Sequence, residues 1–110
     1  MRPLAIVCGL LLAACATVPA HTQDPAPQAR FSYADLNLRD AADRRMLLTR
    51  VDQAAADYCR DHSAIVTPYH RRADHSYCRA SIRSQLMWAM PPDVRRAYDT
   101  AWARRPAGRR

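Results

Sequence analysis

The longest amphipathic pattern in the chain covers about residues 41–60. Leu47 and Val51 recur on one helical face, whereas charged side chains occupy the opposite face. Asp40 precedes this run and is a residue type that caps helix N-termini, and Asp43 would favour the dipole of the first turn. The pattern therefore predicts a long helix that begins directly after Asp40.

A second helix is predicted over about residues 75–90, with Asp74 as its cap. Its apolar stripe consists of Cys78, Ile82, Leu86 and Ala89. Residues 61–73 are predicted to connect the two helices, because Pro68 disfavours a continuous helix through this stretch. Within the connection, Ile65 and Val66 are expected to form a brief extended piece.

A third helix is predicted to begin at Pro92 and Asp93, because proline is well suited to the first helical position. Its apolar residues follow the helical repeat and are Val94, Ala97, Tyr98, Ala101 and Trp102. Tyr98 and Trp102 are expected to belong to the core. Residues 106–110 are interpreted as a disordered basic tail.

Before the first helix, Phe31, Tyr33, Leu36 and Leu38 alternate with smaller or polar residues, which predicts a short strand. Tyr33 is expected to pack under the first helix. Asp35 is expected to bond the backbone where the strand ends. The predicted fold is mainly α (small α+β): a short N-terminal strand, an antiparallel helical hairpin joined by a disulfide, and a third helix, all within residues 30–105.

Residues 1–20 have the features of an export signal, with a short positive end followed by the uncharged apolar run 4–14. Two processing sites compete. Leu12-Ala13-Ala14-Cys15 resembles a bacterial lipobox, which would make Cys15 the lipidated first residue of the mature chain. Val18-Pro19-Ala20 offers small residues for ordinary signal peptidase before His21, and residues 21–29 then read as a proline-containing tether.

Export determines how the four cysteines are interpreted. Cys8 leaves with the leader, and Cys15 is either removed or lipidated, so Cys59 and Cys78 remain. In an oxidising compartment, two cysteines of a small domain most simply form one disulfide. The end of the first helix and the start of the second, where these cysteines lie, are adjacent in an antiparallel hairpin.

A metal site is the alternative reading of the same region. Cys59-x2-His62 and His75-x2-Cys78 could supply two thiolates and two imidazoles to a tetrahedral zinc ion. Oxidation in the exported compartment argues against thiolate ligands. A weaker form of the metal-site hypothesis is compatible with oxidised cysteines, and in it His62, His70 and His75 bind a divalent metal without the sulfurs.

Composition narrows the function classes. The 110 residues carry a formal charge of +7, every base is Arg, every acid is Asp, and there are only two glycines. The lack of a glycine-rich segment excludes P-loop and dinucleotide-binding motifs, and the lack of Lys and Glu excludes Schiff-base chemistry and His-Glu-x-x-His metalloproteases. Export makes nucleic acid an improbable partner for the arginines. Anionic lipid headgroups or other envelope polyanions fit the charge better, and a solvated basic surface is the plainer alternative.

The order of motifs resembles the UrcA family of small exported bacterial proteins. The resemblance covers about residues 31–90 and depends most on the Tyr-x-Asp-Leu-x-Leu pattern at Tyr33–Leu38, followed by the first helix and two spaced cysteines. It supports the Cys59–Cys78 disulfide, because the cysteines recur in that family without the neighbouring histidines. Asp43 departs from the family pattern, in which a small residue is usual, and so does the loop around Pro68.

The resemblance implies an exported protein without a settled catalytic activity, and it carries over no catalytic residues. We therefore expect a non-enzymatic envelope protein of the periplasm, without a cofactor, that has an interaction or structural role. Its partner would be an envelope protein or an anionic envelope surface, and only a lipid anchor would attach it to the membrane. A periplasmic metal-binding or metal-response protein is the alternative.

Overall fold

The computed structural model describes residues 25–107, and this part of the chain is mainly helical. Its elements are α1 (Ala41–Val66), a 3-10 turn (Tyr69–Arg71), α2 (Tyr77–Ala89) and α3 (Pro92–Ala103). The predicted leader, Cys15 and the last residues of the basic tail lie outside the described residues. None of the helices within residues 25–107 combines the length and the apolar character that crossing a membrane requires.

The N-terminus of α1 is fixed by the two aspartates that the sequence singles out. Asp40 is the N-cap, and its Oδ1 accepts a hydrogen bond from the backbone N–H of Ala42 at 3.0 Å. Asp43 Oδ2 accepts from the backbone N–H of Asn37 at 2.7 Å. Asp43 thereby ties the preceding turn to the helix, in addition to facing the positive end of the helix dipole.

The C-terminal end of α1 extends six residues beyond the prediction. The helix continues through Ile65 and ends at Val66, with non-helical backbone angles at His62 inside it. The predicted extended piece at Ile65 and Val66 is therefore wrong. Pro68 restricts the residue directly before it, Thr67, which is extended at φ −92° and ψ 111°, and it does not stop the helix earlier.

The core lies where α1 packs against both α2 and α3. Each helix contributes the stripe that its periodicity predicts, and the two Pro residues after α2 allow the chain to turn directly into α3. The buried residues of the core are Leu47, Val51, Ala55, Cys78, Ile82, Leu86, Met90, Val94, Ala97 and Tyr98. All of them are apolar or aromatic, and no charged residue is buried within the described part of the chain.

The predicted N-terminal strand is absent, and residues 25–107 contain no strand. Phe31, Tyr33, Leu36 and Leu38 are half-buried against the core, as their alternation suggests. Their backbone forms turns instead, with Leu36 N–H donating to the Tyr33 carbonyl at 3.0 Å. A strand needs a neighbouring strand to pair its backbone groups, and this chain supplies none within the described residues. The fold is therefore mainly α rather than α+β.

A disulfide between Cys59 and Cys78 joins α1 to α2, with the two Cα atoms 6.0 Å apart. Asp52, which precedes Cys59 on α1, accepts a hydrogen bond at 3.2 Å from Arg83, which follows Cys78 on α2. The pairing order shows that the two helices run antiparallel, as predicted. Asp74 does not cap α2 directly, because its carboxylate accepts from the backbone N–H of Ser76 in the turn before the helix.

Candidate functional site

The histidines of the metal alternative are not brought together. His62 lies beside the Tyr58 ring at 5.1 Å, His70 lies in the 3-10 turn, and His75 lies in the turn before α2. Within residues 25–107, no three His, Cys, Asp or Glu residues are grouped closely enough to hold a metal ion. The sulfurs of the two cysteines are bonded to each other and do not offer thiolate ligands.

The main partner of Asp35 is Arg50 on α1, and the local backbone contact predicted for Asp35 is secondary. Its two carboxylate oxygens accept from both terminal nitrogens of Arg50, at 2.6 and 2.7 Å. The same guanidinium donates to the Ser32 carbonyl at 2.8 Å. The hydrogen bonds from Arg50 lower the pKa of Asp35 from 3.8 to about 2. This exposed pair anchors the N-terminal segment on α1, and its 15-residue separation leaves no local pattern in the sequence.

The arginines gather most strongly in one groove of about 860 Å³, between the first half of α1 and the end of α3. We call this the arginine groove. Five arginines and one acid line it: Arg44, Arg45, Arg83, Arg104, Arg105 and Asp52. Leu48, Tyr98, Ala101 and Trp102 form its apolar part. Three helices therefore contribute to one positively charged surface, with Arg83 supplied by α2.

Two other grooves are much more balanced in charge. The groove beside the disulfide has three arginines and two aspartates, and one pair of these, Arg60 and Asp57, forms an ion pair. The groove beside the N-terminal segment has three arginines, one of them shared with the arginine groove, and one aspartate, Asp93. The arginine groove has the largest excess of positive charge of the three.

Trp102 lies at the centre of the arginine groove and orders two of its cations. The guanidinium carbon of Arg105 is 3.0 Å from the centre of the indole ring, and that of Arg83 is 5.1 Å from it. Tyr98, one turn earlier on α3, stacks on Trp102 with ring centres 5.9 Å apart. A guanidinium over an aromatic face is held by cation–π attraction, so both side chains lose freedom before any ligand arrives.

The hydrogen bonds of the groove leave much of its donor capacity unused. Arg83 donates from Nη2 to Asp52 at 3.2 Å, and Arg44 donates to the carbonyls of Leu38 and Arg39. The Nε atoms of Arg83 and Arg105 are buried and have no hydrogen-bond partner among the described residues. Arg45, Arg104 and Arg105 form no ion pair within residues 25–107. The groove therefore presents cations and N–H donors that the protein itself does not neutralise.

Tyr98 completes the floor of the groove as a neutral group. Burial raises its pKa above the ordinary value of 10.0, while the positive charges of Arg83 and Arg105 act in the opposite direction. Its phenol therefore stays protonated at neutral pH. The chemistry that this arrangement supports is the binding of an anion against an apolar floor.

The sequence contains the parts of the groove but does not indicate that they meet. Within residues 25–107, arginine pairs occur at 44–45, 71–72, 95–96 and 104–105, and the fold brings both members of only the first and the last of these pairs into the groove. Tyr98 is 2% exposed and belongs to the core as predicted, whereas Trp102 is half-buried and faces the arginines. The one local signal is the three-residue spacing of Trp102 and Arg105, which places them on neighbouring positions at the end of a helix.

Comparison of the chain with family models, curated proteins and solved structures gives no match. The resemblance to the UrcA family therefore stays a prediction.

Proposed function

We propose that this chain is an exported, non-enzymatic envelope protein of the UrcA type that binds the anionic surface of the bacterial envelope through the arginine groove. The observation that carries this proposal is the charge of the groove, in which five arginines face one aspartate. A basic surface of this kind attracts anionic lipid headgroups.

The magnitude of the attraction supports a role for the groove rather than for the chain as a whole. Each basic residue near an anionic membrane contributes about 1 kcal/mol, but only within about a Debye length of ~8 Å at physiological salt. Arginines spread evenly over a protein cannot all approach one surface that closely. Arg45, Arg104 and Arg105 share one groove and can do so together.

The predicted leader and the disulfide support the proposed compartment. Disulfides persist in exported proteins and are rare where thiols are kept reduced. A lipid on Cys15 would hold the folded domain at a membrane face, with residues 16–29 as the connecting segment. The intact mass of the membrane-associated protein tests this step, because an unmodified chain that begins at His21 would contradict lipidation.

Vesicle binding tests the proposed function. The protein should sediment with vesicles that contain phosphatidylglycerol, less so as salt is raised, and should not sediment with phosphatidylcholine alone. The charge reversal R104E/R105E should weaken binding at least about thirtyfold, because it removes two basic residues worth about 1 kcal/mol each. Equal binding by this variant and the wild-type protein would refute the proposal.

The chain offers a matched control for this charge reversal. R71E/R72E changes the formal charge by the same amount at another adjacent pair of exposed arginines, in and after the 3-10 turn. This variant should bind the same vesicles at least several times more tightly than R104E/R105E. Equal loss in both variants would mean that net charge alone drives binding and that the groove has no special role.

A further inference from the structure

We propose that Arg83 and Arg105, stacked on Trp102, form a specific site for a phosphoryl group within the arginine groove. This inference rests on the proposed function but goes beyond it, because attraction to an anionic surface requires only charge. A specific site also requires that the donors are held in place and that their arrangement suits one class of anion.

The stacking on Trp102 supplies the first requirement. The guanidinium groups of Arg83 and Arg105 come from two different helical regions and meet at one indole ring. Side chains that are already ordered pay less conformational entropy when a ligand binds.

The unsatisfied nitrogen atoms provide an independent observation. The buried Nε atoms of Arg83 and Arg105 lack a hydrogen-bond partner among residues 25–107. Each of these two Nε–H groups has lost contact with water without gaining a hydrogen bond from the protein. An anion at the partly exposed remainder of either guanidinium group adds charge-assisted hydrogen bonds to a cation that the protein compensates incompletely.

The arrangement of the donors favours a tetrahedral oxyanion over a carboxylate. A carboxylate is planar and is satisfied by the two parallel N–H groups of one arginine, as in the pair of Asp35 and Arg50. In the groove, Arg83 approaches from α2, Arg105 from the end of α3, and Arg45 from α1. Donors that three different segments supply to one groove suit the several oxygens of a phosphoryl group better than they suit a planar carboxylate.

Asp52 sets the charge balance of the site. It accepts one hydrogen bond from Arg83, at 3.2 Å, and its side chain is 58% exposed. A single long hydrogen bond to an exposed carboxylate is weak, so Asp52 positions Arg83 without neutralising the groove. The remaining four arginines have no acidic partner in the groove lining.

The direct test is an NMR titration of the chain, expressed in full and purified as the cell processes it, with inorganic phosphate. Sodium chloride at matched ionic strength is the reference. Phosphate should cause saturable shifts of the Arg83 and Arg105 Nε–H signals and of the Trp102 indole N–H, with a dissociation constant of about 1 mM or tighter. Shifts that do not exceed those of chloride would overturn the inference.

The variant R105K separates the specific site from general charge attraction. It keeps the charge but loses the planar group that stacks on Trp102, so phosphate binding should weaken about tenfold. R96K, at an exposed position on α3 outside the groove, makes the same exchange and should leave phosphate binding unchanged. If R105K does not fold, R83K takes its place. Equal phosphate affinities of R105K and R96K would refute the site.

Vesicles identify the source of the phosphoryl group. If R105K also weakens binding to phosphatidylglycerol vesicles but not to vesicles charged with fatty acid, the ligand is a lipid headgroup. If R105K weakens only the binding of inorganic phosphate, the ligand is a soluble phosphate or phosphate ester. An equal loss on both kinds of vesicle would contradict selectivity for phosphoryl groups.

Failure of this inference differs from failure of the proposed function. Suppose that the protein binds vesicles in a salt-sensitive way, that R104E/R105E abolishes this binding and that R105K leaves it intact. If no phosphate site is then detected, only the specific site is overturned. A phosphate site in a protein that binds no anionic vesicle would overturn only the proposed surface binding.

Discussion

Reduction of the Cys59–Cys78 disulfide should remove a large part of the stability of this domain. The bridge closes a loop with a sequence separation of 19 residues. The chain-entropy relation for such a loop gives about 3 kcal/mol of stabilisation at room temperature. Folded domains of ordinary size have only about 5–15 kcal/mol in total, and a domain this small lies near the lower limit.

The assay is urea unfolding followed by far-ultraviolet circular dichroism, with and without reductant. With a slope of about 1–1.5 kcal/mol per M, typical of small domains, a loss of about 3 kcal/mol lowers the midpoint by about 2–3 M urea. Coincident unfolding curves for the oxidised and reduced proteins would refute the entropic reasoning. Reductant should have no effect on the C59A/C78A variant, which serves as the control.

Reduction is a cleaner perturbation than mutation at this site. Cys78 is 5% exposed and belongs to the core, so its replacement by alanine also removes buried contacts. Reduction keeps both cysteine side chains, breaks the S–S bond and adds one hydrogen to each sulfur, so it removes no buried carbon atom. C59A/C78A should therefore be at least as unstable as the reduced wild-type protein, and greater stability of the double variant would show that the bridge acts by another mechanism.

Three further predictions concern the core and two titrating groups. Leu47→Ala should cost about 2–5 kcal/mol of unfolding free energy, because Leu47 is 0% exposed in the core, whereas Met46→Ala, at a half-exposed neighbouring position, should cost less than about 1 kcal/mol by urea unfolding. Because the pKa of Asp35 falls from 3.8 to about 2 on folding, its contribution to stability is present above about pH 4 and is lost as the pH falls to about 2. Asp35→Asn should remove this part of the pH dependence of the urea midpoint, and an unchanged pH profile would contradict the ion pair. Burial raises the pKa of Tyr98 above 10.0, so its contribution to the folding stability is present below pH 10 and is lost as the pH rises further. Tyr98→Phe should lessen the alkaline loss of stability and remove a late phase from an ultraviolet titration of the phenols. A titration curve without that change would refute the assignment.

The helices and the core are the features that the sequence alone predicts well. Each helix presents an apolar stripe at the helical repeat, and burial of that stripe is the main force that places it against a neighbour. The start of α1 was also predictable, because Asp40 caps a helix by a contact only two residues long. Features of this kind depend on neighbours in the sequence and can be read from it.

The strand prediction failed because alternation and strand formation are different requirements. Alternating residues can bury one face of any extended segment, and Phe31 and Tyr33 do pack against the core. Forming a strand also requires a second segment to pair with the backbone, which is a property of the whole fold. The end of α1 was misjudged because proline disfavours the helical backbone only at the residue directly before it, here Thr67, so the helix can continue to Val66.

The arginine groove could not be predicted, because its residues lie on three helices and depend on how those helices pack. Arg45 and Arg105 are 60 positions apart in the chain, and the local contact of Arg105 with Trp102 does not indicate that Arg45 lines the same surface. The pair of Asp35 and Arg50 illustrates the same limit at shorter range. Tertiary packing decides which charges meet.

The clustering of arginines is also costly, and the fold contains the features that make it tolerable. Like charges in one groove repel each other and oppose folding, and only four ion pairs occur within residues 25–107. The disulfide and the apolar contacts of α1 offset that cost, while Trp102 accommodates the guanidinium groups of Arg83, which also pairs with Asp52, and of Arg105, which has no acidic partner among the described residues. Additional aspartates beside the clustered arginines would relieve the repulsion between the positive charges more simply, but they would also neutralise the groove. A domain with so small a core keeps this cluster largely uncompensated, and the anion that we propose as its ligand would supply the counter-charge and stabilise the folded state.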